Sequence, residues 1–192
     1  MKRSVFLLTA VCLALPAQDI WQIDTAHSAA QFAVRHMMVS TVRGHFGKIR
    51  GTAKFDMADP TKGSVEAEVD VTSIDTREPK RDAHLRNADF FDAEKHPKMN
   101  FVSKRIEPAG HGKLKMTGDL TIRGVTKPVV FDVEGPSNPI SDPRGGQRIG
   151  AQATAKINRQ DFGVNWNRAL DAGGLAVGNE VTITIDLEMT KR

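Results

Sequence analysis

Along most of the chain after Ala26, apolar and polar residues alternate with a period of two. Val65, Ala67, Val69 and Val71 alternate with Glu66, Glu68 and Asp70. Val181, Ile183, Ile185, Leu187 and Met189 alternate with Thr182, Thr184, Asp186 and Glu188 in the same way. Successive side chains of an extended strand point to opposite faces, so each run has one apolar face and one polar face. One-sided strands of this kind belong to antiparallel sheets. Eight stretches carry the pattern, near residues 28–36, 42–56, 64–73, 98–107, 112–123, 126–135, 147–158 and 179–190.

Turn residues separate several of them: Asp59 to Gly63, Pro108 to Gly112 and Gly135 to Pro139. Arg123-Gly124 reads as a tight hairpin, which places Pro128 at a strand start where a missing N–H is tolerated. In the second stretch Val42, Gly44 and Phe46 share one parity, while Ile49, Gly51, Ala53 and Phe55 share the other. An extra residue near Gly47 reconciles the two, so a β-bulge is predicted there. Two segments break the alternation. Residues 77–97 predict short helical turns, most clearly near 81–95, and residues 159–178 form a long connection rich in glycine.

Eight one-sided antiparallel strands make either a two-sheet sandwich or a closed barrel. Several inward positions are small: Ala30, Gly51, Ala53, Ala67, Gly118, Ala151, Ala153 and Ala155. A sandwich core of that composition is underpacked, whereas a barrel turns the shortfall into a cavity. The alternative, that Phe32, Phe101 and Phe131 fill the space opposite the alanines, stays open. Strands of roughly 12 residues at about 3.3 Å each make a deep lumen suited to a chain-like ligand. A buried methylene contributes about 0.8 kcal/mol, and micromolar binding needs about 8 kcal/mol. About ten methylenes reach that in gross terms, so an apolar tail supplies affinity and a polar lip supplies selectivity.

Parity names the candidate lining. Phe32, Val34 and His36 share one face of a strand, with His36 near its end as a possible donor to a head group. Phe46, Phe55, Phe101, Leu120, Ile122, Phe131 and Ile185 are expected inward on other strands. Leu85, Phe90 and Phe91 are expected to pack inward from a lid, with Phe162 and Trp166 closing a barrel end. Arg43, Arg81 and His84 are the head-group candidates. Plain core packing is the rival reading for the aromatics. Arg81, Asp82 and His84 also invite a catalytic reading, but one helical turn brings them together by spacing alone, and Asp82 suits a cap.

Composition narrows the picture further. Lys2 and Arg3, the apolar run Val5 to Leu15 and then Pro16-Ala17 have the form of an export signal over residues 1–17, leaving one domain over 18–192. Cys12 lies inside the apolar run behind β-branched Val11, which disfavours a lipoprotein signal, and it is the only cysteine. An exported, periplasmic or secreted protein without disulfides must rest on its core. The apolar run is too short for a stable membrane anchor, so an integral membrane protein is not expected. Removing Lys2 and Arg3 from the 27 basic residues leaves 25 against 23 acidic ones, a net charge of +2 in place of +4. Basic and acidic residues are interspersed, which argues against nucleic acid as a partner. The six histidines are scattered with no metal-ligand spacing, and no nucleophile elbow, phosphate loop or dinucleotide fingerprint is present, so neither metal nor cofactor is expected.

Several ordered motifs carry a resemblance. Asp24-Thr25-Ala26-His27-Ser28, Phe32 to Met37 and Ser40 to Phe46 are followed by Ser73 to Thr76, Arg81 to Leu85 and Asp89 to Asp92. Gly118 to Pro128 and Asn158 to Gly163 complete the set. Together, from about Trp21 to the C-terminus, the chain resembles the YceI-like family. The resemblance implies a bacterial, often periplasmic, lipocalin-like barrel holding a polyisoprenoid or similar amphiphile, frequently as a homodimer. It names no pathway. The expectation is therefore an all-β, eight-stranded antiparallel barrel that binds, sequesters or transports a long-chain isoprenoid lipid without catalysis. The rivals are a small lipid-acting hydrolase or isomerase using His84 or His36, and a filled stress-related barrel that binds a protein partner.

Overall fold

The computed structural model describes residues 18–143, 145–171 and 173–191; the expected export signal at 1–17, Cys12 included, lies outside them. The early strands are β1 (Asp19–Ile23), β2 (Ala29–His36), β3 (Ser40–Phe46), β4 (Ile49–Asp56), β5 (Asp59–Asp70) and β6 (Ile74–Asp75). Helix α1 (Pro79–Arg86) follows, then β7 (Lys98–Pro108), β8 (Lys113–Ile122), β9 (Val125–Glu134), β10 (Ile140–Ser141), β11 (Gln147–Asn158) and β12 (Val177–Lys191). Antiparallel pairing runs β11-β9-β8-β7-β5-β4-β1-β12, and β12 then pairs with β11 to close the circuit. β1 and β2 share one place in the wall, because β12 pairs with β2 along its first half and with β1 along its last residues. β3 and β4 share the next place. The result is a closed eight-stranded barrel, the solution that the small inward residues favour over a sandwich.

The change of parity near Gly47 marks the break between β3 and β4, and it leaves both Phe46 and Ile49 buried. Such breaks bend a wall that must close on itself. The Arg123-Gly124 hairpin also forms, with both residues at positive φ.

Three local expectations are corrected. Asp59 to Gly63 is not a turn but the start of β5; the reversal is made at Met57 and Ala58, where Asp56 Oδ1 accepts the Ala58 N–H. Pro128 lies within β9 rather than at its start. It is tolerated because β11 pairs only with Asp132, Val133 and Glu134, leaving that part of β9 with a partner on one side. The helix begins and ends earlier than the span 81–95, since Pro79 at its first turn fixes φ for helix entry and Glu78 accepts the Lys80 N–H.

Besides the two-residue β6 and β10, β1 is the strand that the alternation does not reveal. It brings Trp21, fully buried, against Phe55, with ring centroids 6.2 Å apart and planes at 18°. Ala53, Ile149 and Met189 are buried at the same level, and together these residues plug the base. The registers place the turns after β4, β7 and β9 at this end. The β2–β3 and β8–β9 turns, α1 and residues 159–171 and 173–176 gather at the other.

The outer face is mostly polar, with Val102 and Val130 among its exposed apolar side chains. Lys113–Glu134 (2.5 Å) and Lys115–Asp132 (2.7 Å) bridge β8 and β9, and Lys156–Glu180 (3.0 Å) bridges β11 and β12. Each exposed pair contributes under about 1 kcal/mol. Their arrangement is the inverse of a membrane-spanning barrel, which turns its apolar side outward.

Candidate functional site

Inward parity from eight strands converges on an apolar lumen with a cavity of about 200 Å³. Gln31, Asn100 and Arg159 are the polar residues among its lining. Rings divide the space. A Cβ at Gly118 would stand 2.4 Å from the Phe101 ring, and one at Gly44 would stand 2.6 Å from the Phe32 ring. Those glycines are therefore filled by the facing phenylalanines, as the packed-core alternative holds. Ala30, Ala67 and Ala153 instead border open space. Phe101 and Phe131 meet edge to face at 5.2 Å, and Phe46 and Phe91 likewise at 5.6 Å.

Two lids close the end opposite Trp21. In the first, buried Asp82 accepts from Thr76 N (2.9 Å) and Thr76 Oγ1 (2.5 Å). Arg81 donates to Thr76 Oγ1 (2.7 Å) and to the Thr76 carbonyl (2.8 Å). This clip ties α1 to the chain leaving β6, and Leu85, Phe90 and Phe91 reach the lumen from it. Arg123 Nη1 donates to the Phe90 carbonyl at 2.7 Å and anchors the far end.

The second lid is organised by Arg159, which is 5% exposed. Its guanidinium donates to the carbonyls of Gly178 (2.9 Å), Val164 (2.6 Å), Trp166 (2.9 Å) and, at 3.4 Å, Val177. Residues 163–171 and 173–178 are thereby folded back over the barrel end. Among the described residues no carboxylate pairs with Arg159, and burial pushes its pKa below the ordinary guanidinium range. It lines the lumen as a buried cation.

Of the sequence-derived lining, Phe32, Val34, Phe46, Leu85, Phe90 and Phe91 border the cavity. Phe101, Leu120, Ile122, Phe131, Phe162 and Ile185 do so as well. Three do not. His36 is exposed, because β2 at that height has passed the rim and meets β12 beyond a register shift between Val177 and Val181. Phe55 is buried in the base against Trp21. Trp166 stands behind the cavity wall, where it joins His84 and Phe90.

The head-group candidates also lie elsewhere. Arg43 is on the outer face, Arg81 is spent on Thr76, and His84 Nε2 is 2.8 Å from Asp89 Oδ2. Arg81, Asp82 and His84 thus act as lid fastenings and do not line the lumen, and Asp82 caps the Thr76 backbone rather than the helix. Arg159 is the polar group that sequence reasoning passed over; its place in the Asn158-to-Gly163 motif was the available signal.

One cluster outside the lumen has metal-ligating residue types. Asp24, His27 and Glu188 converge on the outer face, with His27 Nδ1 3.0 Å from Asp24. Arg148 already occupies their centre, 2.8 Å from Asp24, bonded to Glu188 and 2.7 Å from Asp142. Its guanidinium, followed by the bond to His27, holds the Asp24 carboxyl well below the usual carboxylate range. The cluster is an ion-pair network that pins the β1–β2 corner to β11 and β12.

Comparison with known proteins agrees with this architecture. Residues 21–189 match the model of the YceI-like domain. A UPF0312 protein of Vibrio parahaemolyticus is 39% identical over 172 residues, covering 85% of this chain and 89% of its own. Among solved structures, BcnA of Burkholderia cenocepacia superposes with a TM-score of 0.74 at 30% identity, over 86% of this chain and 98% of that one. A polyisoprenoid-binding domain from Saccharophagus degradans has the same fold, with a TM-score of 0.65 at 15% identity, over 90% and 98% of the two chains.

Proposed function

The chain belongs to the YceI-like family, and on that premise we propose that it is a non-enzymatic carrier of one long isoprenoid-type lipid. The observation that carries this reading is the lumen: apolar along its length, plugged by Trp21 and Phe55, with one buried cation, Arg159, at the lidded end. The family neighbour described as polyisoprenoid-binding has the same barrel, which supports the ligand class. In this reading the tail lies toward Trp21 and a polar head group meets the remaining donor capacity of Arg159.

The cavity of about 200 Å³ is smaller than the roughly 300–1,000 Å³ of sites that enclose drug-sized ligands. A long tail therefore enters by displacing Leu85, Phe90 and Phe91 together with their lid. Export to the periplasm or beyond, proposed from residues 1–17, fits a carrier that meets lipids outside the cytoplasm. The test is mass spectrometry of organic extracts of the purified protein, joined to binding of added polyprenols. Stoichiometric apolar lipid, lost in a lumen-filling Ala153→Phe variant that stays folded, is expected. No extracted lipid and no polyprenol uptake would overturn the reading.

A further inference from the structure

The β2–β3 turn presents Met37, Met38 and Val39 to solvent at 45%, 59% and 79% exposure. Leu175 of the second lid adds a fourth exposed apolar side chain beside them. The Met37 N–H donates to the Ala176 carbonyl at 2.8 Å, and Gly174 packs toward Met38 Cγ. Hairpin turns with positive φ ordinarily use Asn, Asp or Gly. Here Met37 and Met38 take that conformation, at φ 49° and 62°. Arg35 holds them there, with Nη2 donating to the Met38 carbonyl at 2.5 Å and Nη1 to Thr41 Oγ1 at 3.2 Å. The turn is a formed apolar tip.

Cations gather around the tip. Lys98, Lys104, Lys113, Lys115 and Lys156 on the barrel wall each face an acid within 3.0 Å. Arg35 and Arg43, which line the groove beside the tip, and Arg168 on the adjoining loop have no carboxylate partner among the described residues. Glu180, which lines the same groove, is held by Lys156 at 3.0 Å, and exposed Asp171 lies on the adjoining loop. Apolar side chains ringed by unpaired arginines match the interface of an anionic bilayer, where apolar groups enter the acyl boundary and cations meet head groups.

We propose that Met37, Met38, Val39 and Leu175, with Arg35, Arg43 and Arg168, form a docking tip for an anionic lipid membrane. The tip stands at the lidded end, and Val34 lines both the lumen and the outer groove, so docking brings that end of the barrel to the bilayer. Docking does not depend on which ligand fills the lumen.

The test uses the chain from Gln18 onward, which contains every barrel strand, in co-sedimentation with isoprenoid-free vesicles. One set is phosphatidylcholine with phosphatidylglycerol and the other is phosphatidylcholine alone. Binding to the anionic vesicles at low salt is expected, weakened by added salt. Arg43→Gln is expected to weaken it about fivefold, the equivalent of one interfacial arginine. Met38→Ser combined with Val39→Ser is expected to weaken it at least about tenfold while the thermal midpoint holds. Absence of binding by the wild type, or equal binding by both variants, overturns the proposal. So does a wild-type dimer that the Ser variant splits without any effect on vesicle binding, since the tip would then serve a second copy of the chain.

Discussion

The imidazole of His84 stands edge-on to the indole of Trp166, with ring centroids 5.0 Å apart and planes at 84°. His84 makes a second edge-on contact with Phe90 at 5.0 Å, and Phe90 lies 5.2 Å from Trp166. These three rings join the two lids, which come from distant parts of the chain. On the proposed carrier reading, a ligand leaving through this end must part them or pass beside them.

Trp166→Ala removes the shared ring and is expected to cost about 2 kcal/mol, mostly in lid closure. Hydrogen exchange should quicken in residues 84–91 and 163–167 more than in β8 or β11. Ligand release should quicken with it. Uniform loss of protection across the barrel would show that the rings support the whole fold instead.

Arg159→Met preserves length and apolar contact but strands the carbonyls of Val164, Trp166 and Gly178. Buried unpaired carbonyls are expensive, and a loss of about 3 kcal/mol in urea unfolding is expected. Arg159→Lys should recover only part of it, because one ammonium cannot reproduce the planar fork.

Gly118 and Gly47 make a contrasting pair. A Cβ at Gly118 meets the Phe101 ring at 2.4 Å and the Val102 carbonyl oxygen at 2.5 Å, whereas one at Gly47 meets nothing within 4 Å. Gly118→Ala is expected to destabilise by about 1–3 kcal/mol. Gly47→Ala is expected to be neutral or mildly stabilising, through lower entropy of the unfolded chain. Denaturant midpoints of the two variants check both expectations.

Acid sensitivity should trace partly to Asp24. Arg148, and then His27, hold its folded pKa below the ordinary 3.8, so its contribution is present above that value. As pH falls past it, the unfolded chain takes up the proton first and the contribution shrinks toward the lower folded value. Asp24→Asn should therefore lower the thermal midpoint at neutral pH, and its gap from wild type should narrow near about pH 3. A gap that widens in acid would contradict this assignment.

Period-two alternation suffices to identify the long strands and most of the lumen, because parity is a property of the local backbone. Phe32, Phe101, Phe131 and Ile185 face inward for that reason alone. Parity does not say where a strand stands along the barrel axis. His36 keeps the inward phase yet lies past the rim, and Phe55 points inward only to fill the base. β1 escapes notice because five residues are too few to show a period, although Trp21 is among the most buried side chains.

Polar groups are harder still, since their roles depend on partners remote in the chain. Thr76 captures Arg81 and Asp82 within one local clip, which removes them from any site. Arg159 becomes the lumen's buried cation only once Val164, Trp166 and Gly178 fold back to offer their carbonyls. Local backbone geometry thus accounts for the barrel and its apolar face from the sequence, while its ends, lids and one internal charge follow from contacts between segments that meet only in the folded chain.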